Sequence, residues 1–409
     1  MENKDENRKI FKKGLATGVA ITLAFVLVLT AGCSIFMRRN GYVLTTFKPD
    51  KGLTGKILSD KVEKKVSEVL GALSKYYYDD LDHNQMAEGL YAGMVDSLGD
   101  KYTRYFTEEE YQDYISETTG TYYGIGALLS QSTETGEISI NRIYDKTPAQ
   151  EAGLREGDIF VSADGFKAEG SDLTEFVSHV KGEAGTKVKI VVLRNGKKKT
   201  FKVERRAVEI PTVEHQMLNE KIGYIQILEF DKVTAKQFKT SLNSLKKQGM
   251  KSLIVDVRDN PGGMVDSVTE ILDEILPKGL LVYTQDKDGK KTEYKSDDKE
   301  LGMPMAVLIN ENSASASEIF AGAVKDFEYG TLIGTKTYGK GIVQVLLPLS
   351  DGSAVKMTTS KYFTPKGNYI HEVGIEPDVE IEFKYTGDVD AGYDIMKDNQ
   401  VLKALEILK

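Results

Sequence analysis

Three separated segments of this 409-residue chain hold residues that packing alone explains poorly. Asp259-Asn260-Pro261-Gly262-Gly263 falls between an apolar run and a helical pattern. Its paired glycines let backbone approach a ligand closely, and their N–H groups can face an anion or a developing oxyanion. A plain strand-to-helix turn would have the same composition. The second segment, "NENSASASEIFAG" (Asn310 to Gly322), sets Ser313, Ser315 and Ser317 between alanines ahead of a helical pattern. Ser315-x-x-Glu318 reads as a capping box. A serine on the first helical turn also sits beside free N–H groups, and Ala314 and Ala316 leave room for a peptide carbonyl. Both readings stay open on this segment alone. The third segment, "TYGKGIVQV", puts Lys340 between two glycines and before an apolar strand. A lysine drawn into an apolar site loses charge stability and can serve as a general base. Gln344 follows by two strand steps, so both can share one face. An amide in such a strand needs a buried partner, for which Lys340 is the candidate. By itself Lys340 equally suits a solvated loop.

Composition excludes several other chemistries. The net charge of −8 does not suit a nucleic-acid binder. Cys33 is the single cysteine, so no internal disulfide can form. His83, His179, His215 and His371 have no ligand-like spacing, and no metal site is expected. The chain has no Gly-x-Ser-x-Gly elbow for a histidine-based serine hydrolase.

The surrounding elements read as an α/β protein in several parts. Residues 1–13 carry Lys9, Lys12 and Lys13, and residues 14–37 are uncharged and long enough to span a bilayer. The preceding lysines keep the amino end inside and place the body outside the cytoplasm; Arg38 and Arg39 oppose that bias. "LTAGC", ending at Cys33, offers the alternative of a lipoprotein signal. Residues 57–116 show helical apolar spacing, with Leu58, Val62, Val66, Val69, Leu70 and Leu73 on one stripe. From 120 to 206 the texture changes to short strands and glycine turns. Thr147 and Ser171 read as helix caps, and Asn195-Gly196 as a hairpin turn. This order of elements, with Tyr123-Gly124-Ile125-Gly126 and "TPAQEAGLREGD", resembles a PDZ domain. In such a domain the glycine loop holds a peptide's terminal carboxylate and the adjacent strand edge adds the peptide. Residues 207–385 alternate strands and helices around continuous apolar runs such as "SLIVDVR", expected where both sheet faces are covered. The tail, 386–409, ends in a short amphipathic helix expected to dock on a neighbour.

"DVRDNPGG", "NENSASASEIFAGA" and "TYGKGIVQ", in this order and spacing, resemble the carboxyl-terminal processing peptidases, or tail-specific proteases. "GLYAGMVDSLGDKYTRYF" and "TPKGNYIHEVGIEPDV" extend the likeness over nearly the whole chain. It departs from the family at Gly99 to Thr103 and at His371. The resemblance implies a crotonase-like mixed α/β peptidase core with an inserted β-rich PDZ domain and an N-terminal helical segment, to which the uncharged run at 14–37 adds a single N-terminal transmembrane helix. It implies Ser315 as nucleophile, Lys340 as base and Gln344 as the third member that orients the lysine. The oxyanion donors are the amide of Ala316 and that of Gly262 or Gly263. Asp326 falls at a family position associated with activity, and we read it as structural support. No metal or cofactor is called for. Protein or peptide substrates with accessible carboxyl termini are implied, and so is a homodimer. The competing reading is a membrane-anchored PDZ adaptor with an inactive core.

Overall fold

The computed structural model describes residues 51–388 and 392–409. The expected anchor at 14–37, the tail 1–13 and Cys33 lie outside the described residues. Among those described, no helix is long and apolar enough to cross a membrane. The chain divides into two compact units, Met1–Tyr111 with Gln344–Thr358 and Gln112–Val343 with Thr359–Lys409.

The first unit contains helices Lys51–Ile57, Asp60–Tyr76 and His83–Asp96. Asp82 caps the third by accepting from the amides of Asn84 and Gln85. Helix Asp60–Tyr76 has the expected apolar stripe but buries none of its residues. The helical reading of 57–116 is interrupted by strand Arg104–Phe106, which pairs antiparallel with Ala354–Lys356. Tyr105 and Phe106 are buried there, and the gain from covering two aromatic rings outweighs local helical spacing.

The second unit is built on a six-stranded sheet in the order Val213–Met217, Ile222–Ile227, Ser252–Asp256, Met305–Ile309, Gly330–Gly334, Val379–Glu380. The first pair is antiparallel and the rest are parallel. Alternate side chains enter two separate cores, as a period of two requires. Leu253, Val255, Val307 and Ile309 pack under helices Thr234–Lys247, Val265–Asp273 and Ala316–Asp326. Ile254, Ala306 and Leu308 pack on the other face against Val401, Ala404 and Leu405. Those last three belong to helix Asn399–Ile407, so one face of the terminal helix docks on the sheet of its own chain, while Leu402 and Ile407 stay exposed.

Residues 121–124 and 206–209 pair antiparallel, so the intervening segment leaves and returns at one place. It forms an antiparallel sheet in the order Ala127–Gln131, Ile138–Ile143, Ile159–Ala163, Lys187–Arg194, Lys197–Glu204, with helices Pro148–Ala152 and Leu173–Val180. Asn195 and Gly196 both have positive φ, 51° and 73°, as a two-residue hairpin turn demands. Two expected caps move. Asp172, not Ser171, caps Leu173–Val180 by accepting from the Glu175 amide. The Thr147 hydroxyl caps nothing and donates to the carbonyls of Tyr144 and Gly126.

Candidate active site

Topology brings the three segments together. Strands Ser252–Asp256, Met305–Ile309 and Gly330–Gly334 are parallel neighbours. Their carboxyl ends therefore open on the same edge of the sheet, where ligands bind in open α/β folds. Gly262 and Gly263 follow the first, Ser315 the second and Lys340 the third.

Ser315 precedes helix Ala316–Asp326 with φ 56° and ψ −111°, outside the extended conformation of an ordinary N-cap. The expected capping box forms, with the Glu318 carboxylate toward the Ser315 amide and the Ser315 side chain toward the Glu318 amide. Glu318 Oε2 accepts from the Ser315 amide at 2.9 Å, and the Glu318 amide also donates to Ser315's main-chain carbonyl at 2.9 Å. Ser313 donates to the Val257 carbonyl at 2.8 Å, and Ser317 to the Asn260 carbonyl at 2.9 Å. The flanking serines thus tie this segment to the glycine turn.

Glu318 has a larger role than capping. It is fully buried and accepts four hydrogen bonds. One oxygen takes the amides of Ser315 and Lys340, at 2.9 and 2.7 Å. The other takes the Thr337 hydroxyl and the Gly339 amide, at 2.6 and 2.7 Å. A buried carboxylate requires such saturation. Here the saturation joins the serine segment to the lysine segment.

The glycine turn is braced by Asn260, itself fully buried, which donates to the Ile227 carbonyl at 2.8 Å. Asn260 Oδ1 accepts from the Gly262 amide at 2.8 Å, which removes Gly262 as an oxyanion donor. Among the described residues, the amides of Gly263 and Ala316 donate to no protein acceptor. Gly262 has φ 109° and Gly263 φ 136°, values that side chains rarely adopt. A Cβ on Gly262 would stand 2.7 Å from Ser315 Cβ, so the turn lies directly against the serine.

Lys340 is half-buried. Its neighbours Gly339 and Gly341 are pinned by the segment around His371: the Gly339 carbonyl accepts from Glu372 at 2.8 Å, and the Gly341 amide donates to His371 Nδ1 at 3.3 Å. The strand carrying Gln344 begins at Ile342, so strand alternation does not extend back to Lys340. Gln344 belongs to the first unit, where its amide donates to Thr358 Oγ1 at 3.5 Å. Asp326 accepts from the Lys366 amide at 2.7 Å, a structural contact. Sequence reasoning also passed over Arg258. It bonds Asp256 at 2.6 Å, Asp398 at 2.8 Å and Gln400 at 2.7 Å, fixing the root of the glycine turn to the terminal helix.

The inserted domain offers a second candidate site. A groove of about 240 Å³ is lined by Tyr122, Gly124, Ile125, Ala127, Leu129 and Val177, among others. Tyr123 is instead 54% exposed, because alternation in strand Thr121–Gly124 turns it outward and Tyr122 inward. Burial pushes the Tyr122 phenol up to about 12, although the Gly126 and Ala127 amides beside it act the other way.

A family model described as "Peptidase family S41" matches residues 221–381, and one described as "PDZ domain" matches 124–204. The "Carboxy-terminal processing protease CtpB" of Bacillus subtilis is 34% identical over 330 residues, 79% of this chain and 68% of that protein. A "Probable CtpA-like serine protease" of Staphylococcus epidermidis is 35% identical over 322 residues, 78% of this chain. That match spans 65% of the staphylococcal protein's own length. Among solved structures, the photosystem II D1 C-terminal processing protease is 28% identical with a TM-score of 0.45, covering 75% of this chain and 84% of that one.

Proposed function

The chain belongs to peptidase family S41, and from that premise we propose that it is a serine–lysine endopeptidase that cuts proteins towards their carboxyl-terminal ends. Glu318 supports this reading most, since one buried carboxylate holds the amides of both Ser315 and Lys340. Neutral Lys340 accepts the Ser315 hydroxyl proton as Ser315 attacks a peptide carbonyl. The amides of Gly263 and Ala316 hold the tetrahedral oxyanion. Collapse of the oxyanion breaks the peptide C–N bond as the Lys340 ammonium gives its proton to the leaving amine, and Lys340 then takes a proton from the water that attacks the acyl ester and returns it to the departing Ser315 oxygen. Gln344 is assigned as the third member by its motif alone.

The groove beside Gly124 and Ile125 receives a substrate's carboxyl terminus. The chain is held to a membrane through residues 14–37, or through a lipid on Cys33, with its body outside the cytoplasm. Val62, Val69, Leu70 and Leu73, all exposed on helix Asp60–Tyr76, support self-association as a homodimer.

The full chain in detergent, incubated with an unstructured protein, tests the enzymatic reading. Wild type cleaves it, and Ser315→Ala and Lys340→Ala do not. Lys340→Arg is also inactive, because arginine stays protonated. Full activity in Lys340→Ala with loss in His371→Ala would replace the lysine mechanism by a histidine one. A PDZ adaptor with an inactive core would leave the substrate whole even with wild type.

A further inference from the structure

Ser315 is a non-glycine residue at positive φ, a conformation that survives only where its surroundings over-determine it. An N-cap serine is ordinarily extended, and its hydroxyl accepts from the amide two or three residues on. Here φ is positive instead, and the Ser315 carbonyl accepts from Glu318 at 2.9 Å and Ile319 at 3.0 Å. A third donor reaches the same carbonyl: the hydroxyl of Tyr362, at 3.0 Å. Tyr362 is 1% exposed, on strand Ala354–Phe363, and is held in register opposite Thr284. Its own amide donates to the Gly341 carbonyl at 3.1 Å. The main chain of Tyr362 thus grips the lysine segment while its side chain grips the serine. Burial, reinforced by the charge of Glu318, pushes the phenol well above its ordinary value, so it remains a donor throughout the working pH range.

We propose that Tyr362 is a positioning residue that holds Ser315 in its positive-φ backbone, the one from which its hydroxyl attacks. This rests on Ser315 being the nucleophile. The fold does not need the phenol, because the Ser315 carbonyl keeps two helical donors without it. What the phenol restrains is relaxation of Ser315 into extended backbone. There the Cα–Cβ bond, and with it the attacking hydroxyl, would point in another direction.

Tyr362→Phe in the full chain tests this, read by kcat and KM on a fluorogenic peptide, by the rate of covalent labelling with a fluorophosphonate, and by Tm. The expected result is a fall of about 10²-fold in both kcat and labelling rate, the scale of a misplaced reacting group, with KM within about twofold. Tm falls by only a few degrees. Tyr362→4-aminophenylalanine, which keeps a donor at the same place, recovers most of the rate. Unchanged labelling in a folded Tyr362→Phe protein overturns the proposal. So does a loss that tracks Tm and that the donor-bearing analogue does not restore. Cleavage by Ser315→Ala would instead remove the nucleophile reading, whatever Tyr362→Phe does.

Discussion

Two glycine loops in this chain present main-chain amides, and they are secured in different ways. The Asn260–Gly263 turn of the peptidase core is braced by hydrogen bonds to buried groups. Asn260 spans the Ile227 carbonyl and the Gly262 amide, Ser317 reaches the Asn260 carbonyl, and the main chain of Phe230 brackets Gly262 and Met264. The Gly124–Gly126 loop of the PDZ domain borders an open groove whose walls are mainly apolar. One arrangement fixes positions, which bond-making chemistry requires to a fraction of an ångström. The other offers an edge and a greasy surface, which is sufficient for recognition. Changes at the first should therefore appear in kcat, and changes at the second in KM.

Gly262→Ala is the harshest way to break that division. Its Cβ would meet the Ala314 carbonyl oxygen and Ser315 Cβ at 2.7 Å each, both in rigid surroundings. The expected outcome is a loss of about 10²-fold or more in kcat with little change in KM, measured on a short peptide. Val177→Asp probes the other side by placing a charge in the groove. It should cost on the order of tenfold in KM for substrates with an apolar carboxyl terminus, the worth of one buried valine. Fluorophosphonate labelling of Ser315 should stay intact. A fall in kcat alone would show that the two loops do not divide the work.

A smaller effect is expected at Asp231, next to the residue that brackets the glycine turn. Burial, with the charge of Glu229 added, raises its carboxyl to about 7. A raised carboxyl favours the native state below the ordinary aspartate range, and that contribution is lost as pH rises through about 7. Asp231→Asn should therefore raise Tm relative to wild type more at pH 8.5 than at pH 5. A gain confined to pH 5 would contradict the assignment.

Much of this arrangement was legible in the sequence. Continuous apolar runs marked the buried parallel strands, and Asn195-Gly196 marked its hairpin. The three motif segments were found from residue types alone. The missing parts are contacts between distant residues. Glu318 read as a local cap, because its position after Ser315 says nothing of the Thr337, Gly339 and Lys340 donors that fold onto it. Tyr362 belongs to none of the three motif segments. Gly262 and Gly263 looked equivalent until the Asn260 side chain claimed one amide. The terminal helix showed an apolar face, but the sequence could not say which surface it covers. Periodicity shows that a face is buried, not what buries it.

The proposed mechanism depends most on Ser315 being a nucleophile activated by Lys340. Mass-spectrometric mapping of the fluorophosphonate adduct on the full chain, with its rate followed against pH, tests that directly. The expected result is a single adduct on Ser315, formed faster as pH rises and Lys340 loses its proton, and no adduct in Lys340→Ala. An adduct on another serine, or undiminished labelling of Ser315 in Lys340→Ala, would contradict it.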